Sequence, residues 1–212
     1  MMDCERYFII GDIHGCLDML KRLMDKIDWR PDSDGLIFLG DYIDRGDDSK
    51  GVIDFIIELS SISTNVQCLM GNHERLFISY LDGEDEGTFL YNGGVPTLNS
   101  YRVNGYVEIP REHLTFLKSL KDIIELEDYY IVHAGLRPGI EIRDQSENDR
   151  LWIREPFIFS DYDFGKRIIF GHTPFTLPLI MDNKIGLDTG AVFGNKLTCL
   201  EIPSIEFHYV EA

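Results

Sequence analysis

One local pattern recurs five times along the 212 residues and constrains the fold more than any other feature. In each instance a short apolar run, typical of a buried strand, ends abruptly at glycine and at polar residues that chelate metals. The pattern predicts five strands whose polar ends belong to one site. The instances are YFII-GDIHG (residues 7–15), LIFL-GDYIDRG (36–46), CLM-GNHE (68–74), YYIV-HAG (129–135) and RIIF-GHTP (167–174).

Helix-like stretches separate the first three of these strands. Between residues 17 and 27 the apolar side chains follow the spacing of one helix face, and residues 52–59 show a similar pattern. The resulting β-α-β-α-β order calls for right-handed crossovers and a parallel or mixed sheet. In open α/β sheets ligands bind beyond the carboxyl ends of the strands, so we expect the polar strand ends to converge.

The length and composition predict one α/β domain. A chain of 212 residues, 44% of them hydrophobic, has the size and composition of an ordinary globular domain. We therefore predict a single domain over residues 1–212, with a helical insertion at about residues 83–128 and a helix at 112–121 within it. After residue 171 short apolar runs alternate with turn residues, which predicts a second, all-β sheet.

The charge balance excludes several classes of partner. With 20 Lys+Arg against 37 Asp+Glu, the net charge of −17 repels nucleic acid and anionic membrane surfaces. No apolar run is long enough to span a membrane, and the N-terminus lacks the pattern of a signal peptide. Four cysteines without a CxxC pair are typical of reduced thiols, so we predict a cytoplasmic protein.

The residues at the predicted strand ends suit a metal site. A lone histidine after a strand is usually structural, but four of the six histidines follow apolar runs within four residues. So many imidazole and charged groups at one sheet edge would be badly desolvated without a bound cation. Mixed carboxylate, amide and imidazole ligands without thiolate suit Mn²⁺, Fe²⁺ or Zn²⁺. The residues are Asp12, His14, Asp41, Asn72, His73, His133 and His172.

Taken in order, the five motifs resemble the signature of the phosphoprotein phosphatase (PPP) branch of the calcineurin-like metallophosphoesterases. The likeness is greatest to compact bacterial and bacteriophage lambda-type protein phosphatases, which also show NGG, W-x-R-E and DTGAVF. Those motifs stand here at residues 92–94, 152–155 and 188–193. The resemblance covers about residues 7–202 and implies an α/β sandwich of two mixed sheets flanked by helices.

The resemblance implies a dinuclear metal centre, with Mn²⁺ as the leading identity and Fe²⁺ or Zn²⁺ as alternatives. Asp12 and His14 would bind one ion, whereas Asn72, His133 and His172 would bind the other. Asp41 would bridge the two ions. A metal-bridging hydroxide would be the nucleophile, because coordination lowers the pKa of water from about 15.7 toward roughly 7.

Four further residues acquire roles from the same resemblance. His73 would protonate the leaving group, and Asp44 would orient and charge its imidazole, although a structural salt bridge is the alternative for this pair. Arg45 and Arg154 would clamp the phosphate, since a guanidinium matches two of its oxygens. For Arg154, which depends on the W-x-R-E likeness alone, the alternative is a surface salt bridge.

Three functions follow as hypotheses from the motifs. The leading one is a serine/threonine-type protein phosphatase, a phosphoric monoester hydrolase acting on a phosphoprotein or a small phosphoester. The alternative is a dinucleoside polyphosphate hydrolase that resembles the symmetrical diadenosine tetraphosphatases, which share the five motifs. Those enzymes usually keep longer insertions, and this chain is short for one. The third, from a different class, is a catalytically inactive metal-binding regulatory module, although every expected position is intact.

Overall fold

In the computed structural model, which describes residues 4–212, the N-terminal part alternates strands and helices. The three strands form one parallel ladder, β1 with β2 and β2 with β3. The predicted β-α-β-α-β order and parallel pairing are therefore confirmed. The elements are β1 (Tyr7–Ile10), α1 (Leu17–Lys26), β2 (Gly35–Phe38), α2 (Ser49–Ile62), β3 (Val66–Cys68) and α3 (Asn72–Leu81).

The two crossover helices form for local reasons. Helix α1 buries Met19, Leu20 and Leu23 along one face, as its apolar spacing predicts. Helix α2 begins after Asp48, whose side chain accepts a hydrogen bond from the Gly51 backbone amide. Because both helices follow polar strand-end loops, their N-terminal ends lie beside the candidate site.

Residues 83–128 are not wholly helical. The predicted helix at 112–121 corresponds to α6 (Arg111–Ser119), but the segment also contains a hairpin and ends in a strand that pairs with the next one. That strand forms because Ile123 and Ile124 make a β-branched pair that packs into the sheet. The remaining elements are α4 (Glu86–Phe89), a π-helical turn (Leu90–Gly94), α5 (Val95–Ser100), β4 (Arg102–Val103), β5 (Tyr106–Val107) and β6 (Ile123–Glu125).

The C-terminal part supplies the remaining strands of both sheets. Two short helices, α7 (Glu147–Trp152) and α8 (Glu155–Ile158), lie between the fourth and fifth motifs, and a 3₁₀ turn, Ile142–Asp144, precedes them. A second 3₁₀ turn spans Ala191–Phe193. The strands are β7 (Tyr129–Val132), β8 (Arg167–Phe170), β9 (Leu179–Ile180), β10 (Lys184–Gly186), β11 (Lys196–Ile202) and β12 (Glu206–Glu211).

Two mixed five-stranded sheets result, with strand orders β12-β11-β1-β2-β3 and β6-β7-β8-β10-β9. The predicted α/β fold with two mixed sheets flanked by helices is thereby confirmed. The prediction that the strands after residue 171 form a sheet of their own is wrong. Strands β9 and β10 extend β8, whereas β11 runs antiparallel to β1. Since β11 is buried on both faces, it needs a place inside the first sheet.

The core has three layers that fix the strand ends relative to one another. Ile9 and Ile37 of the first sheet pack against Ile131 and Ile169 of the second. Helices α1 and α2 cover the outer face of the first sheet, and a smaller cluster around Phe157 covers the second. Within residues 4–212, no helix combines the length and hydrophobicity that a membrane crossing requires.

Candidate metal centre and active site

The loops that follow β1, β2, β3, β7 and β8 meet at one edge of the two sheets, and Asp41 lies at their centre. One carboxylate oxygen of Asp41, Oδ2, is 3.5 Å from Nε2 of His14. The other, Oδ1, is 3.5 Å from Nε2 of His133. A carboxylate that turns one oxygen to each side can serve two cations at once.

Asn72, His133 and His172 form the group on one side of Asp41. The Asn72 Oδ1 atom lies 3.0 Å from His133 Nε2 and 2.9 Å from His172 Nδ1. Asp12 joins this group through Oδ2, which accepts a 2.9 Å hydrogen bond from the His172 backbone amide. The structure thus brings together all the residues predicted as metal ligands.

Hydrogen bonds to the backbone set the tautomers of two imidazoles. His14 donates through Nδ1 to the carbonyl oxygen of Ile43, and His133 donates through Nδ1 to that of Leu39, both at 2.8 Å. In a neutral ring the remaining nitrogen then carries a lone pair, which in both cases faces Asp41. Imidazoles that ligate metals are commonly oriented in this way by a backbone carbonyl.

Burial keeps these imidazoles neutral. Desolvation lowers the pKa of His14 to about 3 and that of His172 to about 2. Although burial opposes ionisation of Asp41, the surrounding imidazoles, first among them His133, bring its pKa below the ordinary value. Burial, reinforced by the charges of Asp188 and Asp41, raises the pKa of Asp12. The imidazoles of His14 and His172 therefore present lone pairs, and Asp41 presents an ionised carboxylate.

This donor set fits divalent cations. The buried atoms Asp12 Oδ1 and His172 Nε2 have no hydrogen-bond partner among the described residues, which is costly unless something binds them. In two groups of three side chains at this edge, both of which include Asp41, the ligand atoms lie within 4.8 Å of one another. One group adds His14 and His73, and the other adds His133 and His172.

His73 and Asp44 form a buried pair beside this centre. The His73 Nδ1 atom is 2.6 Å from Asp44 Oδ2, so the imidazole donates to the carboxylate. Thr97 donates through its hydroxyl to Asp44 Oδ1 at 2.6 Å. The Ser49 hydroxyl accepts from the Asp44 backbone amide at 3.1 Å. Sequence reasoning missed Thr97 and Ser49, since nothing local links either residue to the motif.

Arg45 spans the entrance to the site. Its Nη1 and Nη2 atoms lie 2.7 Å from His14 Nε2 and 2.8 Å from His73 Nε2, so the guanidinium donates to two imidazoles. Its own backbone amide donates to the carbonyl oxygen of Gly93, in the π-helical turn, at 3.0 Å. Arg45 therefore stands where a phosphate bound above the centre would meet its hydrogen-bond donors.

Arg154 is close enough to lower the pKa of His133 and of His172, behind the larger effect of burial. It makes no ion pair with any side chain in residues 4–212, so the surface salt bridge considered above is absent there. By contrast, Arg75 and Arg137, which follow the GNHE and HAG motifs, pair with Glu147 and Asp149. Arg154 keeps its donors available for an anion.

Glu74 braces the loop that carries Asp41, a role that sequence reasoning did not assign. Its buried carboxylate accepts backbone hydrogen bonds from Asp41 at 2.9 Å, Tyr42 at 2.8 Å and Gly71 at 3.1 Å. Burial, together with the charge of Asp41, raises its pKa to about 8. Its place as the last residue of the GNHE motif was the available signal.

Left-handed backbone marks the site. Such φ angles cost a residue with a Cβ about 1–2 kcal/mol, and they persist only where the surroundings fix them. Seven non-glycine residues of the described chain adopt them, and five belong to the motifs. Those five are His14 (φ 48°), Asp41 (53°), Asp44 (71°), Arg45 (68°) and His172 (64°).

The fold and the site define a metallophosphoesterase. The chain belongs to the calcineurin-like phosphoesterase family, whose model matches residues 5–207. It is therefore a hydrolase of phosphoesters from a metal-binding family, and the family level of the predicted resemblance is confirmed.

Among its relatives are bis(5'-nucleosyl)-tetraphosphatases named PrpE and described as asymmetrical. The chain is 29% identical to the protein from Bacillus velezensis over 236 residues, which cover 97% of this chain and 92% of that protein. It is 28% identical to the one from Bacillus thuringiensis over 235 residues. The match covers 92% of the length of each of these relatives, so the length of this chain is no argument against a tetraphosphatase of the asymmetrical kind.

Solved structures show the same fold. A candidate diadenosine tetraphosphatase superposes with a TM-score of 0.77 at 23% identity, covering 98% of this chain and 93% of that one. A serine/threonine phosphatase from Saccharomyces cerevisiae superposes with a TM-score of 0.66 at 14% identity, covering 99% and 80%.

Proposed function

We propose that this protein hydrolyses dinucleoside polyphosphates at the centre around Asp41. The observation that carries the reaction class is the pair of ligand groups sharing the Asp41 carboxylate, with the unpaired guanidinium of Arg154 beside them. The substrate class is supported by the tetraphosphatase relatives, whose matches cover 95% and 97% of this chain. The protein phosphatase hypothesis has weaker support, because the five motifs fit both functions and the serine/threonine phosphatase that superposes is only 14% identical.

Two divalent ions would fit the centre: Asp12 and His14 would hold one, Asn72, His133 and His172 would hold the other, and Asp41 would contribute its carboxylate to both. Mn²⁺ is the proposed identity, since imidazole and oxygen ligands without thiolate suit it. Such a pair of ions supplies a nucleophile derived from water at neutral pH and neutralises charge on the phosphate.

Arg45 and Arg154 are proposed to hold the phosphate that is attacked. Both contacts of Arg45 are with imidazole lone pairs, and a phosphate oxygen is a stronger acceptor than either. The oxygens of a bound phosphate would therefore replace the two imidazoles as acceptors for the Arg45 guanidinium. This contact would orient the phosphate for in-line displacement and would free Nε2 of His73. Arg154 would neutralise further negative charge as the transition state forms.

His73 is proposed to deliver a proton to the leaving oxygen. Burial lowers its pKa, but the carboxylates of Asp41 and Asp44 more than offset this, so the pKa of His73 is raised. Asp44 holds Nδ1, so Nε2 is the atom that faces the leaving group. Once the phosphate has drawn Arg45 away, Nε2 would take up a proton from water and then deliver it to the leaving oxygen. An inactive binding module would not need this arrangement, and none of the expected groups is missing.

The test is a substrate panel with the purified protein and Mn²⁺. We expect hydrolysis of diadenosine tetraphosphate to exceed that of a phosphoserine peptide in kcat/KM by at least tenfold. An asymmetrical cut would give ATP and AMP rather than two ADP, which chromatography separates. A chelator should abolish activity and added Mn²⁺ should restore it. Preference for the phosphopeptide would return the assignment to a protein phosphatase.

A further inference from the structure

A groove opens from the candidate site on the side of Arg45. Its volume is about 680 Å³, within the range of roughly 300–1,000 Å³ that is typical of small-molecule sites. The start of α1, residues 46–48 and the residues Ala191, Val192 and Gly194 form its walls. Because Arg45 lines this groove and also contacts the imidazoles of the site, the groove is continuous with the place proposed for phosphate.

The walls of this groove suit an uncharged ligand part rather than more phosphate. Leu17, Met19 and Val192 contribute apolar surface. Arg22 is already engaged, because its Nε donates to Asp18 at 2.8 Å and its Nη2 donates to the carbonyl oxygen of Glu211 at 2.9 Å. The lining acids Asp18, Asp47 and Asp48 equal the cations Lys21, Arg22 and Arg45 in number.

Phe193 lies beside this groove, between Val192 and Gly194, which line it. It is 65% exposed, and its ring centroid is 5.7 Å from Cζ of Arg45. Glycines in left-handed conformations, Gly190 (φ 71°) and Gly194 (φ 83°), bound the turn that carries it, and hydrogen bonds fix this turn. Phe193 donates its amide to Gly190, and Asn195 ties the turn to Thr189. A rigid, exposed aromatic ring is a platform for a flat base.

Asp47 supplies a polar group on the other wall. It is exposed, and within residues 4–212 its carboxylate has no hydrogen-bond partner. Carboxylates in nucleotide sites commonly accept hydrogen bonds from ribose hydroxyls. An apolar wall, an aromatic ring and a hydrogen-bond acceptor thus lie near Arg45, and these are the groups that would contact the base, the ribose and the phosphate of a nucleotide.

We propose that this groove binds one nucleoside of a dinucleoside polyphosphate, an inference that rests on the function proposed above. The base stacks on Phe193, the ribose hydroxyls donate to Asp47, and the first phosphate reaches Arg45. The groove would then select nucleotide substrates over phosphoesters that lack a base.

The kinetic test compares diadenosine tetraphosphate with p-nitrophenyl phosphate, which has no nucleoside. Loss of base stacking is worth about tenfold or more, so the ratio of kcat/KM between the two substrates should fall at least tenfold in Phe193→Ala. The decrease in kcat/KM for diadenosine tetraphosphate should come mainly from a higher KM. Phe193→Trp should retain the ratio, whereas Phe193→Leu, which keeps apolar bulk without an aromatic face, should lower it. Tyr106→Ala, in the β4–β5 hairpin, is the control for removing an exposed aromatic.

A binding measurement separates this proposal from the proposed function. In calorimetry with AMP on the Mn²⁺-loaded protein, the Kd should be at least tenfold higher for Phe193→Ala than for wild type. Adding Asp47→Asn to this variant should raise the Kd further. If the wild type binds AMP in this way but does not cleave diadenosine tetraphosphate, the groove assignment stands and the proposed function falls. An unchanged substrate ratio and an unchanged Kd in a folded Phe193→Ala protein would overturn the groove assignment.

Discussion

The imidazole of His73 is fixed through Nδ1 to the Asp44 carboxylate at 2.6 Å, with both side chains buried. This contact leaves Nε2 as the nitrogen that faces the site, 4.0 Å from Asp41 Oδ2. Thr97 holds the other oxygen of Asp44, so the carboxylate cannot rotate without breaking two short hydrogen bonds. The pair is therefore held in the orientation that a proton donor requires.

Replacing His73 should affect kcat according to the leaving group. We expect His73→Asn to lower kcat by about 10²- to 10⁴-fold on an alkyl phosphate, because an alkoxide leaves poorly without a proton. The loss on p-nitrophenyl phosphate should be much smaller, since nitrophenolate is a weak base. Steady-state kinetics and metal analysis check this, with His208→Asn as the control. Equal losses on both substrates, or loss of bound metal, would point to a structural role.

Arg154 should contribute to the transition state rather than to the fold. Removing one preorganised donor typically costs about 10²- to 10³-fold in kcat, which is the loss expected for Arg154→Ala. Arg154→Lys should recover only part of it, because an ammonium lacks the planar fork. Arg143→Ala, at an exposed position on the Ile142–Asp144 turn, is the matched control. A kcat within twofold of wild type in Arg154→Ala would exclude Arg154 from the clamp.

Glu74 should couple stability to metal binding. Glu74→Gln replaces an oxygen that accepts backbone amides by an NH₂ group, which leaves buried donors unpaired and should cost about 1–3 kcal/mol of unfolding free energy. Because the Asp41 backbone loses its support, metal affinity should also fall about 10- to 100-fold. Denaturant unfolding and metal titration measure the two effects. Glu84→Gln, in an exposed loop, should change neither, and a stable Glu74→Gln protein with wild-type metal affinity would contradict the bracing role.

Asp34, which lies outside the candidate site, should make the free energy of unfolding depend on pH. Burial opposes its ionisation, but hydrogen bonds from Arg6 at 2.7 Å and Arg30 at 3.1 Å outweigh this and lower its pKa from 3.8 to about 2. The stabilisation is thus fully present above pH 4 and is lost as the pH falls through about 2.

Asp34→Asn should therefore lower the unfolding free energy by about 1–2 kcal/mol at pH 7, a value reduced for the partly exposed arginines. The difference from wild type should shrink between about pH 4 and pH 2, as urea unfolding at several pH values would reveal. Asp32→Asn, two residues earlier and exposed, provides the comparison. A difference that stays constant down to pH 2 would refute the ion pairing.

The sequence predicted the strand ends well because their signal is local. An apolar run that stops at GD, GN or H defines both a strand and the residues at its carboxyl end, and parallel pairing then brings those ends together. The apolar spacing that predicted helix α1 is an equally local signal.

Features that depend on distant pairing were missed. Thr97 reaches Asp44 across 53 positions, and no pattern near Thr97 indicates that contact. The C-terminal strands were assigned to one sheet, because apolar runs predict strands but not which sheet edge remains open for them. The groove beside Arg45 is likewise formed by three segments far apart in the chain.

The left-handed backbone of His14, Asp41, Asp44, Arg45 and His172 has a consequence for engineering this protein. Glycine would relieve the backbone strain at each of these positions. Selection for thermal stability alone would therefore favour the loss of side chains that form the site at the sheet edge. Improved variants are better sought on the helices and on β12, where added stability does not compete with turnover.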